Sequence, residues 1–208
     1  ITVNDTGAPN ITCPADISVS STAASRSVTH AAATCDDNVD CSVSSATALT
    51  ATYTTGTTTT VTYTATDGTA SRDVTCSFTI TVTDTASPEI TCPTAENASP
   101  AIGDNGLATI GYGSASGSDN VAFTISKTGA DSGDQVGIGT YNIVFTASDG
   151  VNTNASCTLQ IVVGDNQGPS LTCPSDKVID TDADSNAVAS PTWSAATASD
   201  NSGESLTP

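Results

Sequence analysis

A ten-residue motif that occurs three times constrains this chain more than any other feature. The motif D-x-x-x-P-x-[IL]-T-C-P stands at residues 5–14, 84–93 and 165–174. Its cysteines, Cys13, Cys92 and Cys173, are separated by 79 and 81 residues. One sequence unit of about eighty residues is therefore repeated, which is the size of a small domain and exceeds a solenoid unit of roughly 20–50 residues.

Further motifs recur at the same interval. They are an Asp-Asn pair at 37–38, 119–120 and 200–201, and the sequences ATDG at 65–68 and ASDG at 147–150. The opening ITVND, residues 1–5, matches ITVTD at 80–84. We therefore expect four segments: 1–5, the last strand of a preceding repeat; 6–84, repeat 1; 85–165, repeat 2; and 166–208, a partial repeat 3.

Apolar and polar residues alternate along several stretches of each repeat. Val61, Tyr63 and Ala65 alternate with threonines, and TYNIVFTASD at 140–149 repeats that pattern. A period of two is typical of half-buried strands, and valine and threonine suit a pleated surface. The sequence predicts an all-β chain in which each repeat is an antiparallel β-sandwich.

The cysteines are placed to staple these sandwiches. Cys13 and Cys76 lie in phase with the inward residues of the first and last strands, and Cys92 and Cys157 repeat that arrangement. We predict the disulfides Cys13–Cys76 and Cys92–Cys157, with Cys35–Cys41 stapling a loop and Cys173 unpaired in this segment. Zinc ligation or free thiols are the alternatives, but no C-x-x-C occurs and His30 is the single histidine. Disulfides imply an oxidising, extracellular compartment.

The motif order resembles that of the hyalin repeat, HYR. The resemblance rests on D-x-x-x-P-x-I-x-C-P, the Asp-Asn pair, T-A-[ST]-D-G and C-x-[FL]-x-[IV]-x-V-x-D, and it covers repeats 1 and 2 and the start of repeat 3. It implies tandem immunoglobulin- and fibronectin III-like sandwiches arranged end to end, in a secreted or cell-surface protein with a role in adhesion or extracellular matrix. The Cys35–Cys41 pair departs from the family pattern.

The chain is strongly acidic, with 22 Asp and Glu, 4 Lys and Arg and a net charge of −18. This charge argues against nucleic-acid binding, which needs a basic patch. Asp and Asn also provide the hard oxygen ligands that calcium prefers. The candidate calcium ligands are Asp37, Asn38, Asp84, Asp119, Asn120 and Asp165. We expect Asp84 and Asp165 to meet a loop of the neighbouring repeat; the alternative is an acidic surface that caps turns and keeps the chain in solution.

Four N-glycosylation sequons occur, at Asn4, Asn10, Asn97 and Asn154. The threonine run at 52–60 is a candidate for O-linked glycans, although β-propensity alone also explains it.

No catalytic pattern repeats. His30, Tyr112 and Trp193 each lie eight residues before the Asn of the Asp-Asn pair, so His30 occupies a repeated site for a planar ring. We predict no enzymatic activity and no metal beyond calcium.

The predicted function is that of a structural or adhesive module. A short connection stiffened by Pro88 predicts a semi-rigid rod that contacts copies of itself or neighbouring repeats in a matrix or a surface filament. The alternative is a carbohydrate- or receptor-binding region of a larger cell-surface protein. No apolar run is long enough to cross a membrane, so no membrane insertion is expected in this segment.

Overall fold

The computed structural model describes residues 5–97, 101–178, 192–203 and 206. In these residues the chain is built from strands, with one 3-10 turn at Ala70–Arg72. Two compact units are present: unit 1 comprises Ile1–Ile90, Gly117–Ser126 and Thr146–Ser156, and unit 2 comprises Thr91–Ser116, Lys127–Phe145 and Cys157–Pro208. The prediction of an all-β fold is confirmed.

Repeat 1 lies in unit 1 and contains eight strands. They are β1 (Asn10–Thr12), β2 (Ile17–Ser21), β3 (Ser25–Thr29), β4 (Thr34–Asp36), β5 (Ser42–Ser45), β6 (Thr50–Thr54), β7 (Thr57–Thr66) and β8 (Val74–Asp84). A four-stranded sheet has the order β2-β8-β7-β5, and β1-β4 and β3-β6 form two-stranded sheets. The pairs are antiparallel except β2–β8, which runs parallel with Ile17 opposite Ile80.

The Cys-Pro step of the repeated motif marks a change of sheet. β1 ends at Thr12, and the chain passes through Cys13 and Pro14 before β2 joins β8. Proline has no amide hydrogen for a ladder, so the β1–β4 pairing stops there. The first strand of the repeat is thereby divided between two sheets, which is why its second half runs parallel to the last strand.

The core of repeat 1 lies between these sheets. The fully or nearly fully buried side chains come from both layers: Val28, Ala33, Tyr53, Val61, Tyr63, Phe78, Ile80 and Val82. On β7 and β8 they alternate with threonines, as the period of two predicts. Large side chains are few, so the buried apolar area per repeat is small.

The described residues of repeat 2, 85–97 and 101–165, contain seven strands. They are β9 (Glu89–Thr91), β10 (Ala108–Thr109), β11 (Ser116–Ser118), β12 (Thr124–Thr128), β13 (Gln135–Val136), β14 (Gly139–Ser148) and β15 (Ala155–Val163). They form a sheet of order β12-β14-β15 and the pairs β9–β11 and β10–β13. The buried residues of unit 2 are Ile102, Ala108, Ile110, Tyr112, Ile143, Phe145, Ile161 and Val163. In residues 166–208, β16 (Ser170–Thr172) pairs with β17 (Thr197–Ser199).

Disulfides join the first and last strand regions of each complete repeat. Cys13 is bonded to Cys76 and Cys92 to Cys157, with Cα–Cα distances of 5.8 and 5.7 Å. Each closes a loop of more than sixty residues, which stabilises the folded state by about 4 kcal/mol in the chain-entropy model. Cys35 and Cys41 are also bonded, and Cys173 is an exposed free thiol.

Asp16 fastens the start of β2 to β8 through a charge-assisted hydrogen bond. The backbone N–H of Thr79 donates to Asp16 Oδ1 at 2.6 Å, across 63 residues of sequence. This bond lowers the pKa of Asp16 below the ordinary value of 3.8. A carboxyl whose folded-state pKa is depressed stabilises the fold above its unfolded pKa and loses that contribution as the pH falls through the folded pKa.

We therefore expect Asp16→Asn to be less stable than the parent chain at neutral pH, and we expect this difference to shrink as the pH falls through the lowered folded-state pKa of Asp16. Urea unfolding of both chains across this pH range measures the difference. Asp73→Asn, which removes the same charge from an exposed position, controls for net charge. A difference for Asp16→Asn that is independent of pH would contradict this role of the carboxylate.

Candidate functional site

Three repeated motifs, far apart in sequence, converge in repeat 1. Asp5 precedes β1, Asp37 follows β4 and Asp67 follows β7. One carboxylate oxygen from each of the three lies within 4.8 Å of the others. They come from the D-x-x-x-P, Asp-Asn and Asp-Gly motifs, so the fold brings the three repeated acidic positions to one place. We call these residues cluster 1.

In two of these aspartates, one carboxylate oxygen accepts a hydrogen bond from the backbone of a local turn. The N–H of Gly7 donates to Asp5 Oδ1 at 2.9 Å, and the N–H of Thr69 donates to Asp67 Oδ1 at 2.7 Å. Both are the short side-chain-to-backbone turns that aspartate favours. The amide nitrogen of Asn38, turned toward its acceptors, donates to Asp37 Oδ1 at 3.0 Å and to Asp5 Oδ1 at 3.3 Å.

Arg72 provides the positive charge of cluster 1. Its Nε lies 2.7 Å from Asp67 Oδ2 and its Nη2 lies 3.8 Å from Asp5 Oδ2, while Nη1 donates to the Asp5 carbonyl. The Asp67 side chain is only 1% exposed. Burial acts to raise the pKa of Asp67, but the Thr69 N–H and the Arg72 guanidinium together hold it below its ordinary value.

The equivalent residues of repeat 2 form cluster 2. Asp84 ends β8, Asp119 follows β11 and Asp149 follows β14. One oxygen from each again lies within 4.8 Å of the others, and Asp84 is 3% exposed. All three residues belong to unit 1. The offsets from cluster 1 are 79, 82 and 82 residues, which are the repeat spacings.

Amide groups surround cluster 2. Asn120 Nδ2 donates to Asp84 Oδ1 at 2.9 Å, and the N–H of Ala86 donates to the same oxygen at 3.0 Å. Asn152 Nδ2 donates to Asp84 Oδ2 at 3.1 Å and to Asp149 Oδ2 at 2.9 Å. Asn152 thus bridges the first and third aspartates of cluster 2, as Arg72 does in cluster 1.

Asp149 is held as a carboxylate by these donors. The Asn152 side chain, followed by the backbone N–H groups of Val151 and Asn152, lowers the pKa of Asp149 from 3.8 to about 2. Both N–H groups donate to Oδ1, each at 2.9 Å.

Five of the six sequence-predicted calcium ligands lie in or beside these clusters. Asp37 and Asn38 lie at cluster 1, and Asp84, Asp119 and Asn120 at cluster 2. Asp165 is exposed, and its Oδ1 accepts the N–H of Gln167 at 2.9 Å. Sequence reasoning missed Asp5, Asp67, Asp149, Arg72 and Asn152. The Asp-Gly of ATDG and ASDG was the signal for two of them, Asp67 and Asp149, because it recurs at the repeat interval beside the other acidic motifs.

His30 has a structural role. It is 5% exposed, and its ring packs edge-on to Tyr63 with centroids 6.2 Å apart. Tyr112 packs in the same way on Phe145, the repeat 2 counterpart of Tyr63, at 6.0 Å. Trp193, at the third equivalent position, is 69% exposed.

Three sequon asparagines, Asn10, Asn97 and Asn154, are exposed, and Asn4 lies outside the described residues. The exposed face of β7 and β8 carries rows of hydroxyl groups. Thr58 and Thr81 Oγ1 are 3.0 Å apart, and Thr62 Oγ1 lies 2.9 Å from Ser77 Oγ. These positions remain candidates for glycans.

A family model of the HYR domain matches the chain twice, at residues 4–82 and 83–163. Each acidic cluster falls within one of these matches. A comparison with curated protein sequences finds no match. Among the residues that the structure describes, no helix has the length and apolar character needed to span a membrane.

Solved structures similar to this chain include extracellular cadherin domains of protocadherin gamma B7, at 14% identity and a TM-score of 0.36, covering 75% of this chain and 49% of that one. A titin I-band fragment has 12% identity and a TM-score of 0.29, covering 76% and 66%. Protocadherin gamma B2 has 15% identity and a TM-score of 0.28, covering 82% and 42%. The chain spans less than two thirds of the length of each.

Removal of the Arg72 charge should destabilise repeat 1. We expect Arg72→Ala to lower the free energy of unfolding by about 2 kcal/mol in chelator-treated buffer, less than the ~3–5 kcal/mol for a fully buried ion pair because the arginine retains access to water. Denaturant unfolding measures this. Arg26→Ala is the matched control, since Arg26 is exposed and donates to the Ser20 carbonyl. Equal losses in the two variants would show that the carboxylates do not depend on Arg72.

Proposed function

Because the chain belongs to the HYR domain family, we propose that it is a non-enzymatic structural and adhesive segment of an extracellular protein. Tandem HYR domains with three disulfides fit an extracellular module of the adhesion type. We further propose that the repeats are part of a matrix or surface filament, in which they bear tension. Their partners are copies of the same chain or neighbouring repeats.

The position of the long disulfides carries this proposal. Cys13 lies just after β1, and its partner Cys76 lies in β8, the last strand of repeat 1. A force applied at the two ends of the repeat therefore passes through the Cys13–Cys76 bond. The enclosed residues, which include most of the strands, are bypassed. Cys92 and Cys157 have the same relation to the ends of repeat 2.

The composition of the surface supports an extracellular location. Disulfides persist in oxidising compartments. The threonine rows on β7 and β8 are exposed, and the acidic net charge of −18 keeps chains from non-specific association. Glycans on Asn10 or Asn154 and on surface threonines are part of the proposal, because these side chains are exposed and lie on or beside strands.

Force spectroscopy on single chains tests the proposal. Under oxidising conditions, repeat 1 should release only the residues outside its disulfide loop. In the Cys13→Ser/Cys76→Ser variant the sequence separation of 63 residues becomes extensible, except for the separation of 6 that Cys35–Cys41 still closes, which adds about 200 Å at ~3.5 Å per residue.

The matched control is Cys35→Ser/Cys41→Ser. Its loop spans a separation of 6 residues and lies inside the Cys13–Cys76 loop, so we expect no gain in extension while the Cys13–Cys76 bond is intact. If the oxidised parent chain released the long step, tension would reach the enclosed strands and the proposed mechanical role would be wrong.

A further inference from the structure

Cluster 2 brings three carboxylates together without a positive charge. The chain has four Lys and Arg residues, Arg26, Arg72, Lys127 and Lys177, and all of them are described. Within the described residues, no basic nitrogen lies within 4.0 Å of Asp84, Asp119 or Asp149. Asp84 is nevertheless 3% exposed. Buried like charges at this separation are costly unless a cation compensates them.

Cluster 1 has the same arrangement of aspartates together with a positive charge. There a cationic group, the Arg72 guanidinium, is paired with two of the three equivalent aspartates, Asp67 and Asp5. In cluster 2 the corresponding bridge is Asn152, whose amide is neutral. Cluster 2 therefore retains the arrangement of aspartates, but it has a neutral asparagine where cluster 1 has the Arg72 guanidinium.

The oxygen atoms of cluster 2 also leave acceptor capacity unused. On Asp84 and Asp149, Oδ1 accepts two hydrogen bonds while Oδ2 accepts one, from Asn152. On Asp119, Oδ1 accepts the Asn120 N–H at 2.8 Å, and Oδ2 has no partner and no accessible surface. The Oδ1 of Asn120 is likewise buried without a partner. Unsatisfied buried acceptors of this kind call for a donor or an ion. Asp37 Oδ2 of cluster 1 is also buried without a hydrogen bond, so the two clusters differ in the neutral Asn152 that stands where cluster 1 has Arg72.

We propose that Asp84, Asp119 and Asp149 form a binding site for a calcium ion, and that Arg72 replaces that ion in cluster 1. Two oxygens that each lie about 2.4 Å from one ion are at most ~4.8 Å apart, so the observed separations permit a shared ion. Calcium fits better than magnesium, because carboxylates and water complete its flexible shell of roughly 6–8 oxygens, whereas magnesium demands a rigid octahedron. Asn120 and Asn152 are positioning residues that orient the carboxylates.

This inference is independent of the mechanical role proposed above. Extracellular calcium sites have dissociation constants of roughly 10⁻⁴–10⁻³ M, which matches a site with three carboxylates on the surface of a module. A site of this affinity would be filled or emptied by the calcium level outside a cell.

The test uses the full chain, treated with chelator and then titrated with calcium chloride by calorimetry. We expect one site per chain and a rise in the melting temperature of roughly 5 °C at saturating calcium. Asp119→Asn should weaken binding at least tenfold. It is the cleanest variant because Asp119 Oδ2 has no hydrogen bond to lose. Asp37→Asn, the equivalent change in cluster 1, is the matched control and should bind calcium as the parent chain does.

Substitution of the bridging residues, Asn152 and Arg72, tests the calcium site even if an aspartate variant fails to fold. Asn152→Arg should abolish calcium binding and raise the melting temperature in chelator, because it supplies the cation from within the protein. Arg72→Asn should add a second calcium site. Calcium binding that is unchanged in Asp119→Asn and Asn152→Arg, equal responses to magnesium and calcium, or no binding at millimolar calcium would each overturn the proposal.

Discussion

The covalent bond between the first and last strand regions is the constraint on which each repeat depends. Tyr63, Phe78 and Ile80 are among the few large side chains of the first core, so the buried apolar area is small for about eighty residues. The Cys13–Cys76 bond stabilises the repeat by reducing the conformational entropy of the unfolded chain, and it does not depend on additional contacts in the folded one. Since the same bond recurs as Cys92–Cys157, core residues can remain small and the outer strand faces can be nearly all threonine and serine.

The acidic clusters follow from the same framework. Asp67 and Asp149 follow the long central strands, and Asp84 ends another, so their positions are set by strand lengths and register. Each repeat therefore rebuilds the same trio of carboxylates, and only the compensating group differs. An arginine supplies it in repeat 1, and an asparagine stands in its place in repeat 2. Such a change alters the chemistry of the site while the backbone that holds the aspartates is kept.

Much of the fold was predictable because alternation along a strand is a local property. Val61, Ala65, Ile143 and Ala147 were expected to face inward, and all are fully buried. The parallel β2–β8 pairing was not predicted, since nothing in the residues of β2 specifies its direction relative to a strand sixty residues away. At the candidate site, Asp37, Asp84 and Asp119 were predicted as calcium ligands from the repeated acidic motifs of the sequence. Asp149 and Arg72 were missed because their role depends on which loops meet, and loop proximity is not a local property.

The sequence alone determined the length of the repeat, the all-β class, the inward face of the long strands and the HYR resemblance. These follow from spacing and from the period-two pattern, which is written residue by residue along the chain. Only the tertiary structure decided which aspartates share a site, which of them are buried and which side chain balances their charge. Those properties depend on distances across the fold, because charge compensation is a matter of a few ångströms between residues that lie tens of positions apart in sequence.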